Sequence, residues 1–152
     1  MIDAELAAFV EGGQSIHLST RDERGWPHGV RAVAARVAAD GTHVDVYIAD
    51  VAYARLAAAL EASRQAAMVF CRPPDDRACQ VKGTFVSVRP AEPAEEAFAR
   101  AQWDGFMAAL GAIGISHRLA ARWTRWPAQV VRVEVTAIFE QTPGPKAGAQ
   151  LS

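Results

Sequence analysis

A chain of 152 residues with net charge −1, 51% hydrophobic and 22% charged residues has the balance of one globular domain. It is too apolar for disorder and holds no run near the ~20 apolar residues of a spanning helix. The near-neutral charge sets up no field that would recruit nucleic acid or an anionic membrane. At this length folding hides roughly 70% of the unfolded chain's surface, so one ordinary core suffices. Met1, Ile2, Asp3, Ala4 and Glu5 carry neither the basic start nor the apolar run of a secretory leader, and the expectation is a cytoplasmic protein. Fourteen of the sixteen basic residues are Arg, a side chain suited to bidentate phosphate and carboxylate contacts; an Arg-rich genome gives the same bias. Cys71 and Cys79 are too far apart for a Cys-x-x-Cys pair and read as reduced thiols.

In chain order, Ile2, Leu6, Phe9 and Val10 share a helical face after Asp3, and Gly12-Gly13 stops that helix. Gln14 to Thr20 alternates through Ile16 and Leu18, then Asp22 to Pro27 carries turn chemistry. His28 to Ala39 reads as a Val/Ala-rich strand, Asp40-Gly41 as a hairpin turn, and His43 to Ala49 as its alternating partner. Asp50 is placed to cap a helix with Tyr53, Leu56, Ala57 and Leu60 on one face and Arg55 off it. Two strands, Gln65 to Arg72 and Ala78 to Arg89, flank the Pro73-Pro74-Asp75-Asp76 turn. Trp103, Phe106, Met107, Leu110 and Ile113 stripe a helix that Gly114 ends, and Ser116 is placed to cap a short turn. The last strand, Ala128 to Phe139, sets Val131, Val133 and Val135 against Arg132, Glu134 and Thr136.

Six strands in meander order, with helices in two crossovers, predict an α+β fold: a small six-stranded antiparallel barrel with peripheral helices. The domain is expected over residues 1–140, with 141–152 a tail in which Gln141 to Pro145 turn away toward a frayed end.

A set of residues within 5–90 resembles the FMN-binding split-barrel family related to pyridoxamine 5'-phosphate oxidase. Thr20 and the Gly25-Trp26-Pro27 turn lead into Arg31-Ala32-Val33-Ala34-Ala35-Arg36, like that family's Arg-x-Val-x-x-Lys/Arg strand. Ile48, Ala49 and Arg55 stand where its next strand and helix start meet the flavin and its phosphate, and Gln80, Val81 and Gly83 match its fifth strand. The resemblance implies an FMN-dependent oxidoreductase acting on a small molecule, and a homodimer with the flavin at the subunit interface.

The chemistry of FMN suits these residue types. A phosphate needs cations, which Arg31 and Arg55 supply, and Ala32, Val33 and Ala34 are small enough to let a ring lie against backbone. The resemblance further implies that Arg36 sits near the pyrimidine edge, where its charge tunes the ring, and that Gln80 offers an amide. Arg31 and Arg36 are five apart, so strict alternation sends them to opposite faces unless a bulge intervenes. No protein acid or base is needed for the chemistry, so no catalytic residue is expected. No counterpart of the Arg and His pattern with which the oxidase grips pyridoxamine phosphate follows Phe139, and another substrate is expected.

Other readings compete. Arg31, Arg36 and Arg55 also suit solvated surface ion pairs, and Gln80 an ordinary strand surface. Trp103, Trp123 and Trp126 read first as core or interface packing, and Trp123 or Trp126 second as a cover for the flavin. His17, His28, His43 and His117 lack metal-ligand spacing, and no phosphate loop or dinucleotide fingerprint occurs. A non-catalytic FMN- or haem-binding barrel, or a barrel without a ligand, are the alternative functions.

Overall fold

The computed structural model describes residues 1–120 and 122–151. The elements are α1 (Ala4–Val10), β1 (Ser15–Arg21), β2 (Pro27–Arg31), β3 (Ala34–Val37), β4 (His43–Ala49), α2 (Asp50–Tyr53), α3 (Ala57–Ser63), β5 (Gln65–Cys71), β6 (Ala78–Pro90), α4 (Glu96–Ala112), α5 (His117–Ala120) and β7 (Ala128–Glu140). The fold is the expected curled antiparallel split barrel with helices outside, built from seven strands in the order β2-β1-β5-β6-β7-β4-β3.

The extra strand comes from splitting the expected strand 28–39. β1 and β4 stand toward opposite ends of the sheet, and one straight strand cannot pair with both. The chain therefore pairs β2 with β1, turns at Ala32-Val33, and pairs β3 with β4. The turn itself bridges the two ends: the Ala32 N–H donates to Ile16 O at 2.9 Å and the next residue's N–H, on Val33, to Tyr47 O at 2.8 Å. The bent strand thus closes the curl, which accounts for the six strands read from the sequence.

The helix expected from Asp50 is also split, into α2 and α3 around the turn at 54–56. Asp50 does not cap it; its carboxylate accepts from Gln129 Nε2 at 3.0 Å, and Ala49 takes the cap position without a side-chain bond. Asp3 does cap α1, accepting from the Leu6 N–H at 2.9 Å. Gly41 has φ +69°, and a Cβ there would collide with the Ile2 carbonyl, so glycine lets the start of the chain dock on the hairpin.

Two apolar layers result. Ile16, Leu18, Val44, Val46, Leu60, Met68, Phe70, Val81, Val131 and Val133 fill the barrel. On its outside, α4 presses Ala99, Trp103, Phe106, Met107 and Leu110 onto Val33, Ala34, Tyr47 and Val130. Ile113 lies beyond the end of that stripe and is 46% exposed, and Gly114 follows at φ +82°.

β3 is a sheet edge whose outer backbone groups need partners. Gln102 supplies them for Ala35: its Oε1 accepts from the Ala35 N–H at 2.9 Å and its Nε2 donates to the Ala35 carbonyl at 2.7 Å. Glu11 accepts from the Val37 N–H at 2.7 Å. One buried amide on α4 therefore acts as a further strand and fixes where the helix lies. The tail folds back instead of fraying: the Gly148 N–H donates to Glu140 O at 2.7 Å and the Leu151 N–H to Ile138 O at 2.7 Å.

Candidate functional site

Arg31 is the last residue of β2, just before the turn that closes the barrel. Its Nη1 donates to Ser15 Oγ at 2.9 Å, and its guanidinium carbon lies 4.7 Å from the Trp123 ring centre and 5.2 Å from that of Phe106. Those two rings are nearly parallel at 13° with centres 6.4 Å apart. Burial lowers the guanidinium's pKa from its ordinary value, but an Arg side chain stays charged. Among the described residues no carboxylate pairs with it. This partly desolvated charge without a counterion is compensated by the Ser15 hydroxyl and by ring faces, the latter worth about 0.5–2 kcal/mol. Such a group is chemically suited to an anion.

Arg31, Ala32, Val33 and Arg55 together line a cleft of about 410 Å³. Arg122 adds a third cation, Trp103 and Trp123 add ring walls, and among the described residues no acidic one lines the cleft. Across the β1–β2 pair His17 faces Arg31; desolvation, then the Arg31 charge, hold its imidazole below the usual histidine range. The cleft therefore combines cations with the apolar residues Ala32, Val33, Val51 and Ala52.

The remaining predicted residues are not brought to this cleft. Ala34, Ile48 and Ala49 are buried at 1% exposure or less. Arg36 lies on β3 with its guanidinium carbon 4.0 Å from the Phe98 ring centre, eight residues before Phe106 on α4, so about 12 Å of helix rise separates the ring beneath Arg36 from that beside Arg31. The turn at Ala32-Val33, and not strand alternation, sets this separation. Nearby, Tyr47 donates to Glu95 Oε1 at 2.7 Å, and Arg89 grips both Glu95 oxygens at 2.7 and 2.8 Å. The Arg89 hydrogen bonds, then the Glu92 N–H and the Tyr47 hydroxyl, outweigh desolvation and hold the Glu95 carboxyl at about 2. Burial first, then the bond to Glu95, raise the Tyr47 pKa above its ordinary value. This cluster ties α4 to the sheet.

Gln80 lies on the row Arg31, His17, Val69, Gln80, in which each residue is directly opposite the next across β2, β1, β5 and β6. Its side chain thus shares the Arg31 face of the sheet but sits three strands away, about 14 Å, and lines a separate cavity of about 310 Å³. Arg122, Thr124, Val51, Ala52 and Trp103 are cleft residues the sequence reading missed. The run Arg122-Trp123-Thr124-Arg125-Trp126, alternating cations and rings, was a signal for the first two. Trp103 is core, as first expected, whereas Trp123 is 38% exposed at the cleft wall.

The fold and the cleft define a split barrel with a cationic site at its closing corner. A profile described as pyridoxamine 5'-phosphate oxidase matches residues 2–142, and the chain belongs to that family. Among solved structures the fold resembles HupZ from Group A Streptococcus, at 17% identity and TM-score 0.58, covering 97% of this chain and 100% of that one. It also resembles an F420 reductase (17%, TM-score 0.57, 86% and 93% covered) and an FMN-binding protein from Syntrophomonas wolfei subsp. wolfei (11%, TM-score 0.55, 88% and 81% covered). A search of curated proteins found no match.

Proposed function

We propose that this protein is an FMN-binding flavoprotein that works as an oxidoreductase on a small organic molecule. The observation that carries the reading is Arg31, a half-buried guanidinium with no carboxylate partner among the described residues, at the mouth of a cleft with two further cations. Three guanidinium groups, with no acid among the described residues, match the near-dianionic phosphate of a mononucleotide, and the volume lies within the range of small-ligand sites, about 300–1,000 Å³. Arg31, Arg55 and Arg122 would hold the phosphate, and Ala32, Val33 and Ala52 would leave room for an attached ring to approach backbone. Bound FMN would supply hydride and electron transfer, which no side chain of the protein can perform.

Arg36, expected near the pyrimidine edge of the flavin, belongs instead with the contacts that seat α4. Family membership supports FMN. The proposal also includes a homodimer: Gln80, about 14 Å along the sheet from its own Arg31, would serve the flavin of a second copy. The test is the visible spectrum of the purified protein with mass spectrometry of what it carries. Flavin bands support the reading; a Soret band assigns haem, and no colour after added FMN removes the cofactor altogether. Sedimentation showing a stable monomer at micromolar concentration would overturn the dimer.

A further inference from the structure

Behind the wall formed by Val33, Trp103, Trp123 and Thr124 lies a second cavity of about 350 Å³, which shares those four residues with the cationic cleft. We propose that this chamber is a subsite for a planar aromatic carboxylate, held by Arg125 and packed against Trp123 and Trp126. The assignment of what lies next door rests on reading the cleft as a mononucleotide site.

Ring walls and charge carry the argument. Trp123, 38% exposed, meets the buried Trp103 edge to face, with ring centres 5.7 Å apart at 80°, and Trp126 also lines the chamber. Four ionic side chains line it. Arg100 and Glu96 satisfy each other at 3.0 Å. Arg125, whose guanidinium carbon lies 5.3 Å from the Trp103 ring centre, has no carboxylate partner among the described residues, and Asp104 has no cationic one.

Trp103 is only 4% exposed and closes the chamber as part of the core. Among the described lining residues Arg125 is the cation left for an anionic group, and a single carboxylate fits better than a phosphate dianion, which would bring a second charge into the chamber with Asp104. The neighbouring cleft, with three cations and no acid among the described residues, is where a dianion belongs. Carboxylate matches the planar guanidinium fork, and an aromatic ring matches the indole walls.

The test is equilibrium dialysis of 2-naphthoate, with 2-naphthamide as the neutral control, against the full chain with and without FMN. Saturable 2-naphthoate binding is expected, weakened about five- to tenfold in Arg125→Gln and strengthened about twofold in Asp104→Asn, with the amide indifferent to both. Arg55→Gln, which alters only the cleft, should leave 2-naphthoate binding intact while weakening FMN. No saturation at millimolar probe, an unchanged Kd in Arg125→Gln, or displacement by FMN overturns the subsite. Should 2-naphthoate bind as described while FMN does not bind at all, the cofactor reading of the cleft fails and the subsite stands.

Discussion

Replacing Gln102 by Ala removes the side chain that completes the β3 edge at Ala35. The Ala35 N–H and carbonyl, on a residue with 0% exposure, lose bonds of 2.9 and 2.7 Å and have no strand on that side to replace them. Each buried group left without a partner costs about 1–3 kcal/mol, and partial relaxation brings the sum to about 3–4 kcal/mol. A domain of this size holds about 5–15 kcal/mol in total, and each kcal/mol moves its Tm by about 2–4 °C, so a fall near 10 °C is expected. Urea unfolding followed by tryptophan fluorescence and far-ultraviolet circular dichroism reads the change as a lower midpoint at unchanged slope. Gln102→Glu is the stringent partner variant: it keeps an acceptor for the Ala35 N–H but sets a carboxylate oxygen against the carbonyl, and should be no better than Ala. A loss below about 1 kcal/mol in both variants would refute the claim that this amide seats α4.

Further expectations concern the cleft, the Glu95 cluster and the barrel wall. Arg31→Gln should weaken FMN about 10- to 100-fold and Arg55→Gln about 3- to 10-fold, whereas Arg36→Gln should stay within about twofold, all by flavin fluorescence titration. Glu95 is held at about 2 against an ordinary 4.5, so its stabilisation is fully present above pH ~5 and disappears as the pH falls toward 2. The stability difference between the wild type and Glu95→Gln, about 2 kcal/mol at pH 7 given the solvent-facing Arg89, should therefore shrink across that window in acid denaturation experiments. Gly83 sits at a register shift between β6 and β7 where a Cβ would collide with the Glu134 carbonyl; Gly83→Ala should cost about 2–4 kcal/mol by chemical denaturation.

The parts of the fold that are locally encoded were legible. Ile16 and Leu18 alternate into the core, a helix starts after Asp3, and Gly41 turns the β3–β4 hairpin, as their spacing predicts. The break at Ala32-Val33 left no mark because Val33 to Ala39 is apolar enough to read as one continuous strand; the turn is imposed by pairing with two distant strands. Gln102 was invisible for a similar reason, since its partner lies 67 residues away and a glutamine within a helical stripe reads as surface. In the site, the family resemblance singled out Arg31 and Arg55, and the two line one cleft. Arg36 and Gln80 did not join them because strand order, which fixes their distance, is not written in any local pattern.

The claim on which the account rests is that the corner cleft holds a phosphomonoester attached to a ring. Calorimetric titration of the protein with FMN and with riboflavin, which differ by the phosphate alone, tests it most directly. The account predicts FMN tighter by about 100-fold or more, with Arg31→Gln removing most of that preference. Equal affinity for the two, or a preference that survives Arg31→Gln intact, would contradict it.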